Sequence, residues 1–188
     1  MTRKKRAKVP LMVGIDQSKA ATGIVVCRYH PVGGPRDLIH NETVKRVGLK
    51  KAWNLTNRIV SIVSEQKATV FAIAREEGYF DKKFPDVHGE IERLGGWFES
   101  MFYHHYPEAR IHRFLALKWR QAAWGHTGSG GTGWNKLSRE ARESHLKATS
   151  LIWARATFSE IADHHQADAM GILCAHGKYL TERGFIIF

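Results

Sequence analysis

Cysteine is scarce in this chain of 188 residues: Cys27 and Cys174 are the only two, far apart in sequence. They make neither a CxxC pair nor a disulfide framework, and a reducing, intracellular setting is the simplest expectation. His104-His105, His112 and His164-His165 supply many imidazoles, but the two cysteines offer no Cys₂His₂ spacing, which argues against a zinc site. Long apolar runs are missing as well. No stretch approaches the 18 residues of a membrane-spanning helix. Residues 1–8 are basic, but the apolar stretch behind them covers only residues 11–15 before Asp16 ends it. A secretory signal needs a longer apolar segment and a small-residue cleavage site, so neither export nor a membrane is expected. Acids are few: 18 Asp+Glu stand against 29 Lys+Arg, a formal net charge of +11 with His neutral. That excess points to a polyanionic partner, nucleic acid ahead of an acidic membrane surface.

What is present suffices for a core. Hydrophobic residues make up 43% of the chain, which excludes wholesale disorder. The length suits a basic arm over 1–9 and one domain over 10–188. Short apolar runs at 10–16 and 23–29 and the alternating run 37–47 suggest three strands, with a turn at 31–35, forming an antiparallel meander. The period then changes: 48–66 carries a helical apolar face. A buried strand is expected at 68–74 and a helix at 87–106. A short strand at 109–114 and a short helix at 115–124 follow. Five glycines crowd 125–136, which reads as a mobile loop. Helices are expected at 137–157, with Ser138 as cap, and at 163–180. The order βββ–α–β–α–β–α–α predicts an α/β fold with a mixed sheet flanked by helices.

Acids stand where that order would gather them. Asp16 ends the first strand and Glu76-Glu77 follow the fourth, which should lie beside the first. Asp168 interrupts an apolar helix face near the start of the last helix. Clustered carboxylates repel one another unless a cation fills the site, and hard oxygen donors suit Mg²⁺ or Mn²⁺. Two such ions roughly 3.5–4 Å apart activate water and stabilise the leaving oxygen of a phosphodiester. Each acid alone also reads as a cap or helix-start residue; the case rests on the three together, on a basic chain.

Three segments resemble the motifs of RuvC-type Holliday junction resolvases. Val13-Gly14-Ile15-Asp16 with Ala21-Thr22-Gly23 is similar to the first. The run from Phe71 to Phe80, F-A-I-A-R-E-E-G-Y-F, resembles the second, in which an aromatic lies three residues past the acid. Gln166-Ala167-Asp168-Ala169-Met170-Gly171-Ile172 resembles the third. The resemblance spans residues 10–177. It implies a ribonuclease H-like fold, with three antiparallel then two parallel strands, and a homodimeric endonuclease cutting four-way DNA. Two nicks would leave 5′-phosphate and 3′-hydroxyl ends. It implies two Mg²⁺ ions per site, with Mn²⁺ as a substitute, held by Asp16, Glu77, Asp168 and His165. Glu77 is chosen because it lies three before Phe80, with Glu76 as rival. His165 lies three before Asp168, although His164 shares that helix face. A basic catalytic residue on the preceding helix is implied, with Lys147 the best match and Lys136, Arg139 and Arg142 as rivals. Phe80 or Tyr79 would stack on bases at the junction centre. Trp134 and Lys136 of the glycine-rich loop would touch the strand, and Arg139 and Arg142 would face DNA. The helix 87–106, through Leu94, Trp97, Phe98 and Phe102, is the candidate dimer surface.

Other readings remain beside this one. The run G-I-D-Q-S with T-G also resembles the first phosphate loop of sugar kinases and actin-like ATPases, which need a second lobe and about twice this length. The spacing Gly128 to Gly133 mimics a P-loop, but Trp134 stands where Lys is needed. Another ribonuclease H-like nuclease, or a non-catalytic basic DNA-binding module, would share the composition.

Overall fold

Alternating apolar residues build five strands: β1 (Val9–Asp16), β2 (Ala21–His30), β3 (Gly34–Lys45), β4 (Ala68–Glu76) and β5 (Arg110–Phe114). The computed structural model describes residues 9–18, 20–30, 34–45, 47–78, 85–126 and 133–183. The strands form one sheet in the order β3-β2-β1-β4-β5. The pairs β1–β2 and β2–β3 are antiparallel, while β1–β4 and β4–β5 are parallel. Parallel neighbours need a crossover. Helix α1 (Leu49–Glu65) supplies the first and α2 (Pro85–His105) the second. Helices α3 (Ala116–Trp124), α4 (Arg139–Thr157) and α5 (His164–Glu182) complete the chain. The α/β order expected from the sequence is the order found.

Strand alternation sorts side chains onto two faces. Leu11, Val13, Ile15, Val70 and Ile73 face α1 and α2, where Leu55, Ile59, Leu94, Phe98 and Phe102 close the core. Met12, Val25, Cys27 and Ala72 face the other way, onto Met170 and Leu173 of α5 and Ala154 of α4. Helix α5 lies directly on the sheet because two glycines leave it room. A Cβ at Gly14 would stand 2.3 Å from the Ala169 carbonyl oxygen, and one at Gly23 would stand 2.2 Å from that of His165. That approach fixes the height of the first turns of α5 above the ends of β1 and β2.

Several expectations need correction. Leu94, Phe98 and Phe102 do not form an outer surface; they are buried in the core between α2 and the sheet, and of the four only Trp97 is partly exposed. The segment expected as a turn at 31–35 gives its last two residues to β3. Within the glycine-rich segment, Trp134–Lys136 forms a 3-10 turn, with the Trp134 ring 5.6 Å from that of His145. Residues 127–132 of that segment, and residues 1–8 of the arm, lie outside the described residues. Helix α4 begins at Arg139, capped as expected by the Ser138 hydroxyl, which accepts the Ala141 N–H at 3.1 Å. Both cysteines are free. Among the described residues no helix is long and apolar enough to cross a membrane.

Candidate active site

The two-residue period of a strand decides which acid of β4 meets Asp16. Met12 and Gly14 face α5, so Asp16 does too. On β4, Ala72 and Ala74 share that face and Glu76 continues it, whereas Ile73 and Arg75 point to α2. The parallel register sets Ile15 beside Arg75, and so brings Asp16 and Glu76 together at the carboxyl ends of adjacent strands. Glu77 does not join them. It is exposed, and its amide is tied to the Phe114 carbonyl at 2.8 Å. The expected assignment is corrected accordingly: the β4 carboxylate in the cluster is Glu76, which lies three residues before Tyr79 just as Glu77 lies three before Phe80. Tyr79 and Phe80 themselves lie outside the described residues.

Helix α5 brings the remaining groups. Asp163 caps it, accepting the Gln166 N–H at 3.0 Å and the Thr43 hydroxyl at 2.9 Å, which ties its start to β3. His165 Nδ1 lies 2.8 Å from Asp16 Oδ2. One turn on, Asp168 accepts a hydrogen bond from the Ser150 hydroxyl of α4. Glu76 Oε2 accepts the Trp119 indole N–H at 2.7 Å. The Gln17 side-chain amide donates to the Glu76 main-chain carbonyl. His164 packs its ring 4.1 Å from that of His165.

Packed this way, the acids resist full ionisation. Burial first, then the charge of Asp16, pushes Glu76 up to about 8, with Trp119 and Arg120 opposing. Burial and Asp16 also push Asp168 up to about 7, against Ser150, Arg120 and His165. The hydrogen bond to Asp16 raises His165, although burial opposes it. Burial lowers His164, aided by the charges of His165 and Lys147. Three carboxylates beside an imidazole are a donor set whose chemistry fits a hard divalent cation. Among the described residues no group of three or more His, Cys, Asp or Glu side chains stands in an arrangement that could hold a metal ion. One oxygen of Glu76 and one of Asp168 are instead engaged by Trp119 and Ser150.

Comparison by sequence finds no matching family model and no matching curated protein. Comparison of the fold does find likeness. Thermus thermophilus RuvC is similar at 18% identity over 94% of this chain and 98% of that one, with a TM-score of 0.58. The same organism's RuvC in complex with Holliday junction substrate is similar at 16% identity over 94% and 97%, with a TM-score of 0.57. The fold is the ribonuclease H-like fold of RuvC. Fowlpox virus resolvase, in a complex with substrate Holliday junction DNA, aligns over 90% of this chain and 98% of that one at 10% identity and a TM-score of 0.48.

On this RuvC-like fold none of the expected basic residues is among the charges that act on Glu76 or Asp168. Lys147 is exposed on α4, one turn before Ser150, near enough for its charge to act on His164. Lys136 is exposed and Arg142 half-buried. Arg139 pairs with Glu143 at 2.8 Å along its own helix. The cation that acts on the cluster is one the sequence reading missed, Arg120 of α3. It lowers both Glu76 and Asp168, its Nε is buried with no hydrogen-bond partner among the described residues, and its guanidinium stacks 5.0 Å over the Trp119 ring. The signal was the run W-R-Q-A-A-W, a basic residue between two tryptophans, with Trp124 also within 5.8 Å. Gln17, Trp119 and Ser150 were missed too, because nothing in the spacing of a lone polar residue marks it as a partner of the Glu76 main chain or of a carboxylate.

Proposed function

We propose that this chain is a metal-dependent endodeoxyribonuclease that resolves four-way DNA junctions by paired symmetric nicks, acting as a homodimer. The observation that carries the reading is the convergence of Asp16, Glu76, Asp168 and His165, from β1, β4 and α5, at one end of a RuvC-like fold. The net charge of +11 supports a phosphate-rich substrate. One of the two Thermus RuvC structures that align over 94% of the chain is a complex with Holliday junction substrate.

Asp16, Glu76, Asp168 and His165 would hold a pair of Mg²⁺ or Mn²⁺ ions, which supply an activated water and charge stabilisation at the phosphodiester. The chain's own residues prepare that site. Asp16 fixes the His165 ring through Nδ1, leaving Nε2 as the ligating atom. Trp119 and Ser150 orient Glu76 and Asp168. Arg120 holds a positive charge against the cluster, lowering both Glu76 and Asp168. Lys147, exposed on α4 with its charge felt at His164, would add a phosphate contact beside the cluster. A two-fold dimer presents two such sites to a junction that is itself nearly two-fold symmetric. Junction shape, not base contacts, then selects the substrate.

The test offers the purified protein a synthetic four-way junction, a linear duplex and an RNA–DNA hybrid with Mg²⁺. Symmetric nicking of the junction is expected. Asp16→Asn, Glu76→Gln and Asp168→Asn are expected to bind and not cut. Preferred cutting of the hybrid would move the assignment to another ribonuclease H-like nuclease. Junction binding by the wild type with no cutting would leave a basic DNA-binding module.

A further inference from the structure

The face of the sheet opposite the carboxylates carries a charge network that the cluster does not use. Arg75, the residue before Glu76, points there and is 1% exposed. A guanidinium buried so fully is costly unless its donors find acceptors. Here they do. Nε donates to Glu99 Oε1 at 2.6 Å and Nη2 to Glu92 Oε2 at 2.9 Å. Nη1 donates to the main-chain carbonyl of Glu76 at 2.9 Å. Arg113 of β5 grips Glu99 with two bonds, at 2.7 and 2.6 Å, so two arginines balance two glutamates. The other oxygen of Glu92 accepts the Gly78 N–H at 2.6 Å. Burial pushes Glu92 and Glu99 up, but the hydrogen bonds from Arg75, Gly78 and Arg113 outweigh it and hold both below the usual carboxylate range. Helix α2 is cut away to admit the guanidinium: a Cβ at Gly95 would stand 2.6 Å from Arg75 Cζ.

The network grips the two peptide units that follow the Glu76 side chain. Arg75 reaches the Glu76 carbonyl from one side and Gln17 reaches it from the neighbouring strand. Glu92 holds the Gly78 amide two residues on. We propose that Arg75 and Glu92 are positioning residues, which fix the end of β4 through the Glu76 carbonyl and the Gly78 amide and so keep the Glu76 carboxylate against Asp16. The catalytic consequence rests on the nuclease reading given above.

The test uses Arg75→Lys, whose compact ammonium lacks the planar fork that reaches Glu99, Glu92 and the Glu76 carbonyl from three separate nitrogens, and Glu92→Gln, which leaves Arg75 in place and carries the test should Arg75→Lys not fold. The readouts are hydrogen exchange at the Gly78 amide and the NMR signal of the Trp119 indole N–H, which reports on Glu76. Both variants are expected to exchange Gly78 at least about tenfold faster and to shift the Trp119 signal. They are expected to lower kcat at least about tenfold while junction affinity stays within about threefold. Phe102→Leu loosens the core one turn past Glu99 without removing a donor or acceptor of the network, and should move neither signal. The proposal is overturned if both variants leave Gly78 and Trp119 as in the wild type, or if Phe102→Leu moves them equally. The NMR readouts need no cutting. A wild type that nicks no junction would sink the nuclease reading, and the positioning role would still be judged on the two signals.

Discussion

Removing one charge from the carboxylate cluster should stabilise the metal-free protein while abolishing its activity. Glu76 is raised from 4.5 to about 8 and Asp168 from 3.8 to about 7. Between those limits the folded protein keeps protons that the unfolded chain has released, so stability falls as pH rises. Their contribution is complete below the unfolded values and is lost by about pH 8. The His165–Asp16 pair acts in the same direction, because a raised histidine loses its contribution as pH climbs through its folded value. Displacing a protonation equilibrium tenfold takes about 1.4 kcal/mol, which sets a ceiling of about 5 kcal/mol for Glu76. The acids share one field and water relaxes around them, so the relief expected from removing one charge is about 2 kcal/mol. For a chain of this size that is roughly 4–8 °C in Tm. Glu76→Gln keeps an oxygen for the Trp119 indole, and Asp168→Asn keeps one for the Ser150 hydroxyl, so neither substitution orphans a donor. Thermal unfolding in EDTA should show both variants above the wild type at pH 8 and level with it near pH 5, where the wild-type acids are already protonated. The reasoning fails if Glu76→Gln gains nothing at pH 8, or gains as much at pH 5.

Three further substitutions probe the same geometry. Glu77→Gln should cut junctions within about threefold of the wild-type rate, whereas Glu76→Gln should lose at least about 10³-fold, a contrast that one single-turnover assay reads. Arg120→Ala should cost about 10²-fold in cleavage rate with little change in junction affinity, measured by gel shift beside the cleavage assay. Gly23→Ala should destabilise the protein by about 3 kcal/mol in urea unfolding, because the new Cβ would meet the His165 carbonyl oxygen at 2.2 Å.

Most of the fold was legible because its elements follow simple periods. The runs around Ile15 and Ile73, the helical face around Leu55 and Ile59, and the Ser138 cap all mark themselves by local pattern. The choice between Glu76 and Glu77 also lay in the sequence, but in strand parity and not in spacing to an aromatic. Tyr79 and Phe80 are adjacent, so the spacing admits either acid. The alternation Ala72, Ala74, Glu76 against Ile73 and Arg75 admits one. Leu94, Phe98 and Phe102 were misread as an outer surface because an apolar helix stripe looks the same whether it meets its own sheet or a second subunit. Arg120, Ser150 and Trp119 were illegible for a different reason. Their roles depend on helices α3 and α4 crossing near α5, a long-range arrangement that no local pattern encodes.

The central claim is that Asp16, Glu76, Asp168 and His165, far apart in sequence, serve as one cation-binding site. Crystals soaked in Mn²⁺ and measured at its absorption edge test this most directly. The account predicts anomalous density within about 2.0–2.3 Å of carboxylate oxygens from Asp16, Glu76 and Asp168. Density at Glu77 in place of Glu76, or no density at the cluster at saturating Mn²⁺, would contradict it.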